Sequence, residues 1–436
     1  MIIPAARLYL LLIGGTALSF ALAVLFNVQI ALQITLIYDL ILLGLTVWDS
    51  QRSKANRLQV SRLPLGKLSI GRDNPVTLSL KSKNIPASVL IRDGCPSDFN
   101  VIPSLLFRDI PAKTTETLIY TVQPRTRGEY AWGNLSIRQL SLWGLVWNQW
   151  TVNNETLVAV YPDLIALRSL SLKITLEGSG NMISRRRLGQ GTEFSELRDY
   201  SIGDDPRFLD WKASARRSVP VVRVLEPERE QTLIILLDRG RLMTASVQGL
   251  QRFDWGLNTT LALALAGLHR GDRVGVGVFD REVVSWIPPE RGKQHLSRLI
   301  ERLTPLHPVL LESDYFGAVD RLVKQQTRRA LVVIITDLID AIASSALLTA
   351  MGRLKPRYLP FCVALRDPQV DFIAQTPTQT VTQSYGRAVA LDLLAQREIA
   401  FAKLKQKGVL VLDAPADQMS NELVNQYLRL KNRNLL

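Results

Sequence analysis

The chain has 436 residues, 47% of them hydrophobic and 21% charged. That composition excludes a disordered chain and one wholly embedded in lipid, and it leaves room for two or three domains. A formal net charge of +14 calls for an anionic neighbour, either nucleic acid or a phospholipid surface. The two cysteines, Cys95 and Cys362, lie too far apart for a redox motif or a metal knuckle and read as buried thiols in a reducing compartment.

The first elements concern the membrane. Leu8 to Phe26 carries no charge, and Ile30 to Trp48 is apolar apart from Asp39. Each run has the length of a membrane-spanning helix, and the short "NVQ" between them predicts a helical hairpin. The "ALA" at 21–23 resembles a cleavage site, but the apolar run continues past it and a second follows, which argues against a cleaved signal peptide. Arg7 precedes the first span and Arg52, Lys54, Arg57 and Arg62 follow the second, while the tip has no cation. The positive-inside rule therefore predicts a cell (inner) membrane protein with both termini cytoplasmic. The same cations can meet an anionic lipid surface, so the net charge needs no nucleic acid to explain it. Asp39 lies at the middle of its span, where a carboxyl is costly. It predicts a polar contact with Thr16 or Ser19 of the first helix, or with a second copy of the hairpin.

From about Pro64 to Pro162 the pattern changes to period two, in "VTLSLKS", "TLIYTV" and "NLSIRQLS", with turn residues between. This spacing predicts a β-sandwich. Trp132, Trp143, Trp147 and Trp150 near its end read as core or interface aromatics.

Residues 189–217, "GQGTEFSELRDYSIGDDPRFLDWKASARR", crowd opposed charges, aromatics and glycines together. Asp205 can cap a helix opening with Pro206, on which Phe208, Trp211 and Ala215 would share an apolar face. Two readings stand for this segment: an arginine–carboxylate network clamping it onto the following sheet, or a docking surface for a partner.

Beyond Thr232 the rhythm is strand, helix, strand. "TLIILLD", "RALVVIITDL", "YLPFCVALRD" and "GVLVLDAP" are buried strands, and "DRVGVGVFD" with "EVVSWIPP" forms an antiparallel hairpin. Helices are predicted from about Phe253 to His269 and from about Lys293 and Tyr315. The expectation is a doubly wound α/β sheet with one antiparallel edge strand. The predicted divisions are a hairpin over 1–50, a juxtamembrane segment and β-sandwich-like domain over 51–165, the charged segment over 166–231 and the α/β domain over 232–436.

Catalytic signals are missing. His269, His295 and His307 have no metal-ligand or triad spacing and read as helix-surface or loop residues. No phosphate-binding G-x-x-x-x-G-K-[ST] loop occurs, and "GSG" at 178–180 and "GQG" at 189–191 are not dinucleotide fingerprints. These absences favour a protein that is not an enzyme. The alternative is a membrane-bound enzyme or an enzyme's accessory subunit whose site has no readable motif. Basic residues interleaved with base-stacking aromatics are not evident, so nucleic acid is not the favoured partner.

Taken together, the hairpin, the β-domain and the charged segment ahead of an α/β sheet resemble the family called domain of unknown function 58. Gly191, Glu193, Phe194, Leu197, Arg198, Tyr200, Gly203, Asp204, Asp205, Arg207, Asp210, Trp211, Ala215 and Arg216 fall where that family's signature has them. "RLMT", "GDRVGVGVF", "PPERGKQHL", "VVIITDL" and "VALRDP" also resemble it. The resemblance implies a membrane-anchored protein with a von Willebrand factor A-like domain, associated with a MoxR-type AAA+ ATPase and with other membrane proteins.

Within that resemblance, Asp238 and Asp337 end neighbouring strands at the crevice where open α/β sheets take ligands, and they are the candidate metal residues. Von Willebrand A domains that hold a divalent cation such as Mg²⁺ there use D-x-S-x-S, a later threonine and a second Asp. Here Gly240 and Leu242 replace both serines, and Ser313 or Asp314 stands loosely at the threonine position. Too few oxygen ligands remain for a hard cation, so the favoured expectation is no cofactor, with Mg²⁺ at Asp238 and Asp337 as the alternative. Arg239 or Arg241 is expected to supply the compensating positive charge, and Gly240 to admit a partner's backbone. The favoured function is a membrane-tethered interaction or scaffold protein acting with the ATPase on a client.

Overall fold

The computed structural model describes residues 1–25, 28–180, 193–226, 231–338 and 345–433, arranged as a mixed α/β chain with two N-terminal apolar helices and several sheets. It divides into two compact units, Met1–Tyr161 and Pro162–Leu436.

In the first unit, helices Ala6–Leu25 and Val28–Ala55 are each long and apolar enough to cross a membrane. Ala31, Thr35, Tyr38 and Leu42 recur every three or four residues and form the less exposed stripe of the second helix. The Tyr38 hydroxyl donates to the Leu11 carbonyl at 3.0 Å. Its ring needs Gly15 opposite, because a Cβ there would fall 2.5 Å from Tyr38 Cε1. Asp39 does not meet Thr16, whose hydroxyl donates to the Ile13 carbonyl at 2.8 Å. One residue past the stripe, Asp39 turns about 100° away and is exposed on the outer face, so Tyr38 makes the polar contact between the helices.

The hairpin is not separate from the β-domain. Ile2–Pro4, ahead of the first helix, pairs antiparallel with Val146–Asn148 as the edge of a five-stranded sheet. The far end of the second helix buries Asp49, Ser50 and Ser53, and the Ser50 hydroxyl donates to Asn148 Oδ1 at 2.9 Å. Both ends of the hairpin therefore return to one sheet. A four-stranded antiparallel sheet holds the strands Asn74–Lys81 and Thr115–Pro124. Alternation puts Val76, Leu78 and Leu80 in the core.

The same alternation corrects one expectation. Arg62 follows Val60 inward and is buried, away from any lipid surface, in an ion pair with Asp93. Asp93 also accepts from Tyr120 Oη at 2.5 Å and Trp132 Nε1 at 3.0 Å. Of the four tryptophans, Trp132 is core, while Trp143 packs on Trp48 with ring centroids 4.9 Å apart. Cys95 is only partly buried, and burial pushes its thiol up to about 11.

The second unit holds a six-stranded sheet. Counted from Thr232–Asp238, its order is 3-2-1-4-5-6, with Arg273–Phe279 second, the antiparallel Val283–Glu290 third, then Leu331–Thr336, Leu359–Arg366 and Leu410–Pro415. Leu233 to Leu237 are at most 1% exposed because helices cover both faces, which is why the strand reads as an unbroken apolar run. One face packs on Arg252–His269, Lys293–Leu303 and Met419–Asn432. The other packs on Tyr315–Gln325 and Ser345–Arg353. His295 is not a surface residue: it is fully buried, with Nε2 2.7 Å from the Val274 carbonyl. Burial in the fifth strand pushes the Cys362 thiol up to about 12.

Candidate functional site: a charged clip and a filled crevice

The charged segment folds as a clip. Glu193–Asp199 and Val221–Glu226 pair antiparallel, with Glu193 opposite Glu226, Phe194 opposite Leu225 and Arg198 opposite Val222. Between the strands, acidic residues act as caps. Asp204 accepts from the Ser201 N–H at 2.9 Å and pairs with Arg198 at 2.5 Å. Asp205 caps the short 3₁₀ turn Pro206–Phe208 and pairs with Arg207 at 2.6 Å. Asp210 caps helix Trp211–Arg217 through the Ala213 N–H and accepts from Arg223 Nε at 2.8 Å. Gly203, at φ 111°, makes the turn that only glycine adopts freely.

These contacts hold all three carboxyls below the usual range. The Arg198 guanidinium acts on Asp204 and that of Arg207 on Asp205, while on Asp210 the Ala213 N–H acts first and Arg223 next. The single helix expected from Pro206 is replaced by two pieces. Asp205 and Asp210 each start a new one, and Leu209 between them is extended and bridges to Val222. Phe208, Trp211 and Ala215 therefore share no buried face, and Trp211 is 74% exposed. All three ion pairs close within the clip rather than running to the six-stranded sheet. Tyr200 and Val219 are exposed beside Trp211, and Ile202 is exposed in the segment after strand Glu193–Asp199. An open apolar groove of 390 Å³ lies among Tyr200, Leu209, Trp211, Val219 and Pro220. Arg216 is exposed on the short helix, and Gly191 lies outside the described residues.

At the carboxyl ends of the central strands, Asp238 and Asp337 sit on neighbouring strands, as the strand order requires. Asp238 is buried and accepts from four protein donors: Ser313 Oγ at 2.5 Å, Thr336 Oγ1 at 2.7 Å, Tyr315 Oη at 2.9 Å and the Gly240 N–H at 2.8 Å. Burial outweighs these donors and raises its pKa. A Cβ on Gly240 would strike Ser313 Oγ and lie 2.8 Å from the Leu311 carbonyl. The glycine makes way for Ser313, not for a partner's backbone.

Asp337 is held by two arginines, Arg252 at 2.7 Å and Arg397 at 2.6 Å. Arg397, buried on helix Val381–Gln406, also pairs with Asp413 at 3.0 Å and donates to the Leu365 carbonyl at 2.9 Å. It thus ties together the ends of three strands. Burial opposes its charge, but Asp337 and Asp413 outweigh that and raise its pKa. The expected cations are engaged elsewhere, Arg239 with Asp280 at 2.7 Å and Arg241 with Glu312 at 2.7 Å. Four donors saturate Asp238 and two guanidiniums cover Asp337, so this donor set does not fit a divalent cation. Among the described residues no group of three or more His, Cys, Asp or Glu could hold a metal. Sequence reasoning missed Arg397, although one signal was there: an arginine in the apolar stripe Ala390, Phe401 and Leu404.

Three comparisons set this geometry beside known proteins. An uncharacterised protein of Mycobacterium tuberculosis, Rv1480, is 27% identical over 156 residues, covering 35% of this chain and 49% of that protein. The uncharacterised protein YeaD of Bacillus subtilis is 24% identical over 247 residues, covering 57% of this chain and 58% of YeaD. The chain thus spans about half the length of the mycobacterial relative it matches. Among solved structures, the conserved hypothetical protein BatB from Bacteroides thetaiotaomicron aligns over 47% of this chain and 98% of its own, with 14% identity and a TM-score of 0.28. Residues 196–383, which hold most of the clip together with Asp238, Arg252 and Asp337, match the family model described as protein of unknown function DUF58.

Proposed function

We propose that this chain is a membrane-tethered interaction protein that works without chemistry of its own, with a MoxR-type AAA+ ATPase supplying energy for the assembly or maturation of a client. The observation that carries this reading is the clip. Asp204, Asp205 and Asp210 are spent on its own caps and pairs, and it leaves Trp211, Tyr200 and Val219 in solvent around an open groove. Exposed aromatics on a braced scaffold are what a partner-binding surface needs. The crevice plays the complementary part: its carboxylates are committed to internal donors, so it braces a von Willebrand factor A-like sheet and holds no resident cation. The hairpin anchors the chain in the cell membrane with both termini cytoplasmic, and exposed Arg52, Lys54 and Arg57 face the anionic headgroups.

The test is co-purification from native membranes. Wild-type protein should bring down the ATPase, and Trp211→Asp with Ile202→Asp should lose it while thermal unfolding is unchanged. Undiminished recovery with the double variant would remove the clip from the account.

A further inference from the structure

The edge of the six-stranded sheet opposite Asp238 and Asp337 is basic. Strands Leu331–Thr336, Leu359–Arg366 and Leu410–Pro415 are parallel neighbours, so the loops that enter them lie side by side at that edge. Those loops read "QTRRA", "KPRY" and "KQKG", and no Asp or Glu occurs in 321–336, 341–366 or 399–412. Some of the cations have a local use. Lys324 and Arg353 each pair with Asp320 at 2.8 Å, and Lys407 Nζ donates to the Leu348 carbonyl at 3.2 Å. Helix C-termini favour positive charge there in any case. Arg328, Arg329, Lys355 and Arg357 lie beyond helices Tyr315–Gln325 and Ser345–Arg353, are exposed, and make no ion pair among the described residues. Arg329, Lys355 and Arg357 line a single cleft of 240 Å³ together with Pro356, Tyr358 and Leu359. The Lys355 ammonium reaches Gly408 of the third loop, where a Cβ would strike it.

We propose that this cleft takes the phosphate group of an anionic phospholipid, which makes the basic edge a membrane contact separate from the hairpin. Three unpaired cations around one concavity suit a compact anion, and the cleft is smaller than the roughly 300–1,000 Å³ of sites for drug-sized ligands. The two arginines offer paired N–H donors to phosphate oxygens, and the lysine adds a movable point charge. Nucleic acid fits less well. Tyr358, the aromatic of the cleft, is buried with its hydroxyl donated to the Gln326 carbonyl, so the cleft offers no exposed ring to a base. The tether decides between a lipid and a soluble phosphate, because a chain held by a membrane hairpin meets headgroups at high effective concentration. The inference rests on the membrane tether of the proposed function and not on the clip.

The experiment floats the full chain, held in phosphatidylcholine nanodiscs, with vesicles of phosphatidylglycerol and phosphatidylcholine in equal parts. Wild-type discs should co-float with these vesicles and not with vesicles of phosphatidylcholine alone. Each Lys or Arg near an anionic surface is worth about fivefold in binding, so Arg329→Gln/Lys355→Gln/Arg357→Gln should bind about a hundredfold more weakly, with thermal unfolding unchanged. Lys212→Gln/Arg281→Gln/Arg302→Gln removes the same charge from exposed positions elsewhere in the second unit and should bind nearly as wild type does. Equal binding by the first triple variant, or an equal loss in the second, would overturn the proposal. Displacement of the vesicles by inorganic phosphate, at an ionic strength where chloride does not displace them, would mark a soluble-phosphate site and overturn it too. So would binding of a single-stranded oligonucleotide or of polyglutamate that depends on the three cations, by discs that ignore the vesicles. Trp211→Asp with Ile202→Asp should leave flotation unchanged. If vesicle binding fails while the chain resists alkaline washing of membranes and still recovers the ATPase, this inference alone falls. A chain released by alkaline washing would remove the tether, and both this inference and that part of the proposed function with it.

Discussion

Replacing Arg397 with methionine tests the filled crevice. The side chain donates to Asp337 at 2.6 Å, to Asp413 at 3.0 Å and to the Leu365 carbonyl at 2.9 Å, and it is 4% exposed. Removing one member of a buried ion pair typically costs about 3–5 kcal/mol, because the remaining charge keeps its desolvation penalty. Asp337 retains Arg252 at 2.7 Å, which places the expectation at the lower end, about 3 kcal/mol. At roughly 2–4 °C per kcal/mol for a domain of this size, the unfolding of the second unit should fall by about 6–12 °C. Thermal unfolding of the full chain in nanodiscs, followed by circular dichroism, reads this directly. Arg397→Lys should recover only part of the loss, since one ammonium cannot reproduce the planar fork that spans Asp337 and Asp413. An unchanged melting temperature, or full recovery with lysine, would refute the role given to Arg397.

Gly240→Ser restores a hydroxyl at the first missing motif position, but it should destabilise by about 1–3 kcal/mol because its Cβ meets Ser313 Oγ and the Leu311 carbonyl. Adding Ser313→Gly should relieve part of that loss, and calorimetry of either variant should show no Mg²⁺ binding; a gain of Mg²⁺ affinity would contradict the assignment of the crevice. Asp238 titrates above the ordinary carboxylate range, so the native state holds its proton more tightly than the unfolded chain does. Its contribution is full below the unfolded pKa and is lost as pH rises through the elevated folded value. The melting temperature of Asp238→Asn relative to wild type should therefore be lowest in acid and climb toward neutral pH, and a flat difference would count against the raised pKa. Reporters fused at the two termini should read the same side, since Ile2–Pro4 and Val146–Asn148 share one sheet, and the cations flanking the hairpin make the cytoplasm the expected side. Activity of an exterior-specific reporter at either end would refute this.

The elements most legible in sequence were those whose pattern mirrors their burial. "TLIILLD" and "VVIITD" are apolar throughout because helices cover both faces of the sheet, and the period-two runs of the β-domain alternate because only one face is buried. Asp238 and Asp337 could be placed on neighbouring strands from topology alone. Ser313 could be set loosely near Asp238 by motif position, but the buried partner of Asp337 could not be read, because Arg397 comes from a helix 60 residues downstream and only the fold brings it in. The clip was read as one helix because Phe208, Trp211 and Ala215 fit helical spacing. Two aspartates acting as caps within six residues outweighed that spacing. Arg62 and His295 show the complementary failure: polarity suggested surface, and strand alternation or a buried helix start carried both inward. The N-terminal strand was too short to show any period.

The central claim is that the clip is where a partner binds. A photo-crosslinking amino acid placed at Trp211 in cells, with a second placed at the equally exposed Leu157 of the β-domain as control, tests it most directly. The account predicts a covalent adduct with a MoxR-type ATPase from Trp211 and none from Leu157. Adducts of equal yield at both positions, or none at Trp211 while the ATPase still co-purifies, would contradict it.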